Sequence, residues 1–458
     1  MSSILEMNKI ALEAQRTDYD STAPSNAQVS APQQGGPTKS SRALAIVHLA
    51  MHDAAVAYKT KTASETDAAV AGAACQTLGA LFDRQSKAIQ KKAADFVGAL
   101  TGNAQKNRAA LYAGHTIGEK LLAARRGDGW DAPEIYVPPT APNQLTGIHA
   151  ADPLHPNQGI LGTQWGELKP FCLPEKWKLQ DYISDFPALG SPAYKAAEAQ
   201  VKDLGSGDAT TRTPDQTDIG IFWGYDGANK IGTPPRLYNQ CVCEIVKAQD
   251  AAGTKLNTQE LARLFALVNV ALADAAVVAW RAKYHYALWR PVIGIRADGV
   301  SSAAWRPLGA PSTNASDWFN TPPFPAYPSG HATFGTTCFE IVRRFFVEKK
   351  GTLGDKDSPS TGANLPFMLV SDEQNGDNLG PDGIARIVKT RSFPTLDKAI
   401  KENILSRVYL GVHWSFDGAK FDASGNTVDY GLVANTEKIG GAAAGYRVAK
   451  YVFAHCFK

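Results

Sequence analysis

Histidine and cysteine are scarce in this chain, with nine and six residues among 458. The cysteines, at 75, 172, 241, 243, 338 and 456, include no C-x-x-C pair. That argues against a disulfide framework and predicts reduced, buried thiols. No charge sign dominates: 47 Lys plus Arg against 44 Asp plus Glu leave a formal +3, too little for the basic face that nucleic acid requires. No run of about 18 or more apolar residues appears. The most apolar helix candidate, Leu264 to Trp280, carries Asp274 and is bracketed by Arg263 and Arg281, so no membrane insertion is expected. The start, MSSILEMNKIALEAQRTDYD, is charged and lacks the apolar core of a secretory signal. The expectation is a soluble protein, either cytoplasmic or exported by a route without such a signal.

Strand-like alternation is also rare, apart from short pieces such as GNTVDYGLV. Residues 1–39 are polar and rich in Ser, Gln, Pro and Gly, and are expected to form an extended arm. From residue 40 helical spacing dominates: SSRALAIVHLAMHDAAVAYK, then Ala68 to Leu100 and Ala104 to Arg126. A Pro-, Gly- and aromatic-rich stretch from Gly127 to Gly190, with YVPPTAPNQ and FCLPEKWKL, reads as a long ordered connection. Helices resume in PPRLYNQCVCEIVKAQD and in the run opened by Asn257 and Glu260, a capping-box pair, which Pro291 is expected to end. Others are predicted over Ser329 to Lys349, Leu396 to Leu410 and Thr436 to Phe453. The fold class is therefore all-α, built of packed helical bundles, two four-helix-bundle-like halves joined by long ordered loops.

Unusual residues gather in three segments: WRAKYHYALWRP, PFPAYPSGH and SRVYLGVHWSFD. Lys283 and Arg290 are seven apart and on one helix would share a face, about 20° from each other, so that two cations reach one anion. Ser329, Gly330 and His331 stand at a helix entrance after Pro328. Free backbone N–H groups and the positive dipole end favour an oxyanion there. Arg407 and His413, six apart, would diverge by about 120° on a continuous helix, so Gly411 is read as the cap that ends it. Asp417, four residues beyond His413, can accept the imidazole N–H and leave the other nitrogen free as nucleophile or metal ligand. Each segment alone has a commonplace explanation: an ion network, a helix cap, a hydrogen-bonded corner. Together they describe a pocket for a tetrahedral or trigonal-bipyramidal oxyanion. The pair His48 and His52 has metal-ligand spacing but no visible third partner, and His285 faces away from Lys283.

The pattern K-x6-R-P, P-S-G-H, S-R-x3-G-x-H-x3-D resembles the signature of the type 2 phosphatidic acid phosphatase and vanadium haloperoxidase superfamily, with every fixed position present. IFWGYDGANKIGTPPRLYNQ, TPPFPAYPSGHATFG and LVSDEQNGDN are similar to the fungal-type vanadium chloroperoxidases, and the likeness spans most of the chain after Ser40. The resemblance implies one helical domain over residues 40–458 with its active site in 280–417. It also implies a vanadate cofactor without haem, bonded through vanadium to His413. Lys283, Arg290, Ser329, Gly330 and Arg407 would hold its oxygens, and His331 would handle protons. Hydrogen peroxide and halide ions would be the substrates, giving hypohalous acid that halogenates a small organic acceptor.

Trp280 and Phe324 match aromatic positions of the chloroperoxidases, where algal bromoperoxidases carry histidine in place of Phe324. This implies chloride oxidation, with bromide and iodide easier, against plain core packing of the two rings. Asp226 is either a partner of Arg407 or an ordinary turn residue. The alternative function is a soluble acid phosphatase in which His413 attacks phosphorus to form a phosphohistidine. A non-enzymatic anion binder would not need His331 or the oriented His413 and Asp417 pair.

Overall fold

The computed structural model describes residues 2–26, 31–137, 146–350, 365–421, 427–429 and 437–457. Its helices run α1 Ser3–Asp18, α2 Gly36–Ala57, α3 Ala63–Leu81, α4 Ser86–Gly98, α5 Ala104–Ala124, α6 Pro192–Leu204 and α7 Pro214–Phe222. They continue as α8 Pro234–Ala251, α9 Thr258–Tyr286, α10 Pro291–Ala297, α11 Gly330–Lys350, α12 Leu396–Tyr409, α13 Ser415–Gly418 and α14 Gly440–His455. Two small antiparallel ribbons complete the described residues. One pairs β1 Phe367–Val370 with β2 Thr390–Phe393, and the other pairs β3 Lys420–Phe421 with β4 Thr427–Asp429. The remainder of GNTVDYGLV lies outside the described residues, as does YVPPTAPNQ beyond Val137.

Two helical bundles share α9. On one side it packs on α2, with α3 and α5 behind; on the other it meets α11 and α14, with α12 against α11. The Asn257 and Glu260 capping box opens α9 as expected. By length and composition α9 is apolar enough to cross a membrane, but nearly all of that surface is buried against the neighbouring helices. Its interior carboxylate, Asp274, is fully buried and accepts the N–H groups of Phe171, Cys172 and Leu173. In this way a charged side chain in the core helix pins the long connection to it.

Three expectations give way here. Residues 3–18 form α1, with Ile4, Met7, Ala11 and Ala14 buried, where an extended arm was expected. The spacing of these residues is helical, but the high polar content of the first 39 residues masks it. Cys172 and Cys456 form a disulfide, while Cys75, Cys241, Cys243 and Cys338 are free. The two partners lie 284 residues apart, in a loop and at the end of α14, so only the tertiary fold brings them together. Finally, α9 ends at Tyr286 with Ala287 left-handed at φ 47°, and Pro291 begins α10 instead of ending α9. Proline suits a first helical turn because its missing N–H would be unpaired there.

His48 and His52 do not share a site. His48 is buried, with Nδ1 2.8 Å from the Leu44 carbonyl and Nε2 2.9 Å from Asn8 Oδ1 of α1. His52 lies nearer the surface beside Asp53. Burial pushes the His48 ring down to about 4, from 6.5 in an unfolded chain. Between these values the unfolded state binds the extra proton. The stability is therefore whole above pH 6.5 and declines by about 3 kcal/mol as pH falls to 4. Urea unfolding at pH 7.5 and 4.5 should show a smaller loss in His48→Gln than in wild type, the remainder coming from other buried rings such as His331.

Candidate active site

The carboxyl end of α9, the entrance of α11 and the end of α12 meet at one place. Lys283 occupies the last turn of α9 and is fully buried. Its ammonium donates to the carbonyls of Pro325 (2.8 Å), Ala326 (3.1 Å) and Pro328 (2.6 Å). It thereby lashes down the segment that leads into α11. An ammonium has three N–H groups and all are engaged, so direct contact with an anion requires one bond to be exchanged. Burial, with Arg290 nearby, holds the Lys283 pKa well below its ordinary value.

Arg290 does not continue α9 but is the N-cap residue of α10. The left-handed turn at Ala287, rather than a shared helix face, brings it beside Lys283. Its Nε donates to the Phe324 carbonyl at 2.8 Å, and its Nη1 to the Val412 carbonyl at 2.7 Å and His413 Nε2 at 3.1 Å. Its Nη2 is buried and has no partner among the described residues.

Arg407 lies in the last turn of α12 and is gripped by Asp226 through both carboxylate oxygens, at 2.9 and 2.7 Å. Asp226 is thus a partner of Arg407 and not a free turn residue. The Arg407 Nε is also buried and unpartnered. After Tyr409 the chain reverses through Gly411 at φ 70°. Gly411 N–H bonds to the Val408 carbonyl and Val412 N–H to that of Arg407, which closes the helix end. A Cβ on Gly411 would collide with the Gly205 carbonyl. This reversal delivers His413 to the pocket that Arg407 also lines.

Asp417 Oδ2 lies 2.8 Å from His413 Nδ1 and also accepts the Trp414 N–H at 3.0 Å. Burial raises the Asp417 carboxyl to about 8, against the pull of Lys283 and Arg290. Arg290 Nη1 can only donate to His413 Nε2, so the proton of the neutral ring sits on Nδ1 and points at Asp417 Oδ2. Burial, reinforced by Arg290 and Lys283, pushes His413 well below its usual range. The result is a neutral ring whose Nε2 lone pair faces Arg290 Nη1, a bond that a ligand at this nitrogen displaces.

The Ser329 N–H is bound to the Asp417 carbonyl at 2.8 Å, which joins the α11 entrance to the His413 segment. Its hydroxyl accepts the Ala332 N–H at 3.3 Å. Gly330 begins α11, and its N–H is among the first-turn donors that have no intrahelical acceptor. α14 presses closely on this entrance, because a Cβ at Gly441 would stand 2.5 Å from the Ser329 carbonyl. His331 donates from Nε2 to the Gly224 carbonyl at 2.6 Å. In the neutral ring Nδ1 is therefore the basic nitrogen. Burial, then repulsion from Arg407, pushes its pKa down to about 3.

A cavity of about 430 Å³ leads to this cluster, with Gly330, His331, Arg407 and His413 among its lining residues. Trp280 and Phe324 line it too, their rings 5.0 Å apart, and the Phe324 ring lies 4.9 Å from Lys283 Nζ and 5.0 Å from the Arg290 guanidinium carbon. Tyr19, Pro32 and Lys39 supply another part of the wall. Sequence reading missed these three because nothing in an apparent polar arm marks it as pocket wall. His285 takes no part in the lining and packs edge-on against Tyr286.

Fold and site together define a helical-bundle enzyme of oxyanion chemistry, with a tautomer-fixed imidazole facing buried cations. Residues 263–439 match the family described as the VCPO second helical-bundle domain. The chain is 32% identical to the vanadium chloroperoxidase of Curvularia inaequalis over 91% of its own length and 79% of the relative's. It belongs to the vanadium haloperoxidase family and is an oxidoreductase of that type. Among solved structures, the first bacterial vanadium-dependent iodoperoxidase shares the fold with a TM-score of 0.67 at 17% identity, covering 99% of this chain and 95% of that one. A holo-type bacterial vanadium-dependent chloroperoxidase does so with a TM-score of 0.61 at 14% identity, covering 91% and 93%.

Proposed function

We propose that the pocket holds vanadate and that the enzyme uses hydrogen peroxide to oxidise chloride, and more readily bromide and iodide, to hypohalous acid, which halogenates a small organic acceptor. The observation that carries this reading is the pair of buried guanidinium nitrogens without partners among the described residues, Arg290 Nη2 and Arg407 Nε, in the two side chains that flank the cavity-lining His413. A buried, unsatisfied cationic donor is costly, and an oxyanion satisfies both at once.

His413 Nε2 would bond to the vanadium, while Arg290, Arg407, the Ser329 hydroxyl and the Gly330 N–H would hold its oxygens. Lys283 would add its charge and, by exchanging one carbonyl bond, a donor. The bound group supplies a high-valent Lewis acid that activates hydrogen peroxide toward halide without a change of metal oxidation state. Negative charge entering the pocket offsets the repulsion between His331 and Arg407 and makes His331 Nδ1 more basic. That nitrogen then takes up the proton of incoming peroxide and returns it to the departing oxygen.

Trp280 and Phe324 keep water from the cationic face, so that a poorly polarisable, strongly hydrated halide meets buried positive charge. In competition between chloride and bromide, Phe324→His should shift the ratio of kcat/KM values about tenfold against chloride. An unchanged ratio would return Phe324 to simple packing.

A further inference from the structure

Two groups of the pocket depend on a single turn that follows α7. Gly224 offers its carbonyl to His331 Nε2, and Asp226 grips Arg407. Between them Tyr225 stands at φ 48°, a left-handed conformation that a bulky side chain keeps only when its surroundings enforce it. One enforcing group is Glu373, fully buried outside the pocket wall, whose Oε1 accepts the Tyr225 N–H at 2.9 Å. A Cβ on Gly224 would stand 2.9 Å from the same oxygen, so carboxylate and turn fit closely. The other carboxylate oxygen is held from the far side by the Thr313 hydroxyl and by Arg386 Nη1, the latter at 2.9 Å. The Tyr225 hydroxyl in turn donates to Gln240 and accepts from the Asp372 N–H, so the residue beside Glu373 anchors the ring of the same tyrosine.

We infer that Glu373 is a positioning residue for anion binding and proton transfer: clamped by Thr313 and Arg386, its carboxylate locks the Gly224 to Asp226 turn and through it sets both His331 and Arg407. Three features converge on this role. A carboxylate is buried where the pocket chemistry does not use it. It bonds to the backbone of a left-handed residue. And the residues on either side of that one each bond a group of the site. Burial raises the Glu373 carboxyl to about 7 while Arg386 opposes the rise. Outer partners of this kind typically alter affinity for the bound group by about 10- to 100-fold.

The inference rests on the oxyanion reading of the pocket, and calorimetric titration of the full-length protein separates the two. Orthovanadate and inorganic phosphate are titrated into wild type, Glu373→Ala, Glu373→Gln and the distant buried-carboxylate variant Asp274→Asn. If wild type binds neither anion, the pocket reading itself fails. If it binds, Glu373→Ala should weaken both anions about 10- to 100-fold. Glu373→Gln, which keeps the volume but replaces a charge-assisted bond by a neutral one, should weaken them about three- to tenfold. Asp274→Asn should leave both affinities unchanged. Should the alanine variant not fold, the isosteric Glu373→Gln decides. Folded Glu373 variants that bind as wild type does, or an equal loss in Asp274→Asn, would overturn the assignment.

Discussion

His413→Ala is expected to abolish peroxide-dependent halogenation and to weaken vanadate binding by more than about 100-fold, since on the proposed reading His413 would bond the vanadium directly and a direct ligand outweighs the outer partners that cost about 10- to 100-fold. The alanine removes the lone-pair nitrogen at the centre of the cluster and leaves Arg290 Nη1 without one of its two acceptors. It also strands Asp417, whose Oδ2 would retain only the Trp414 N–H. The fold should survive, because the Schellman closure at Gly411 and the bond from Ser329 N–H to the Asp417 carbonyl are backbone contacts. Turnover with bromide, the easier halide, together with vanadate titration checks this directly. Retained turnover would remove His413 from the centre of the chemistry.

Asp417→Asn is expected to be almost as severe, with turnover falling about 100- to 10,000-fold while the protein remains folded. The change is isosteric, yet its electrostatic consequence is large. Because Oδ2 accepts both N–H groups, an asparagine that places its amide nitrogen there gives up the Trp414 bond and points an N–H at His413 Nδ1. The ring would respond by moving its proton to Nε2, the nitrogen that has to be free. Lys283, Arg290 and Arg407 keep their own partners in this variant. Asp417→Asn therefore separates the two properties: phosphate affinity is kept while turnover collapses. A parallel loss of both would show that Asp417 acts by holding shape alone.

The helices were legible because they depend on local pattern, and the gathering of Lys283, Arg290, Ser329, His331, Arg407 and His413 because three short motifs together resemble a known signature. Helical spacing, a Ser-Gly-His at a helix start and a glycine beyond a helix end all act over a few residues. The route by which Arg290 reaches the pocket was not legible. A proline eight residues after Lys283 reads equally as a helix end or a helix start, and only the left-handed Ala287 decides between them. Long-range pairings were hidden for a different reason. Cys172 meets Cys456, Asn8 meets His48, and Glu373 meets Tyr225 only once the bundles have assembled. None of these pairs carries a spacing that sequence could expose. The contribution of Tyr19, Pro32 and Lys39 to the cavity wall was masked by the polarity around them, and α1 was masked because polar residues such as Asn8, Gln15 and Asp18 are themselves among those it buries.

The most direct test of the central claim is hydrogen-peroxide-dependent halogenation of a colour-reporting diketone by metal-stripped protein, before and after addition of orthovanadate, with chloride and with bromide, alongside hydrolysis of a phosphate ester. The account predicts no halogenation before vanadate, turnover of both halides after it, and suppression of any phosphate-ester hydrolysis by the same addition. Absence of halogenation with either halide after vanadate, combined with phosphate-ester hydrolysis that vanadate inhibits, would contradict it and make the pocket that of a phosphatase.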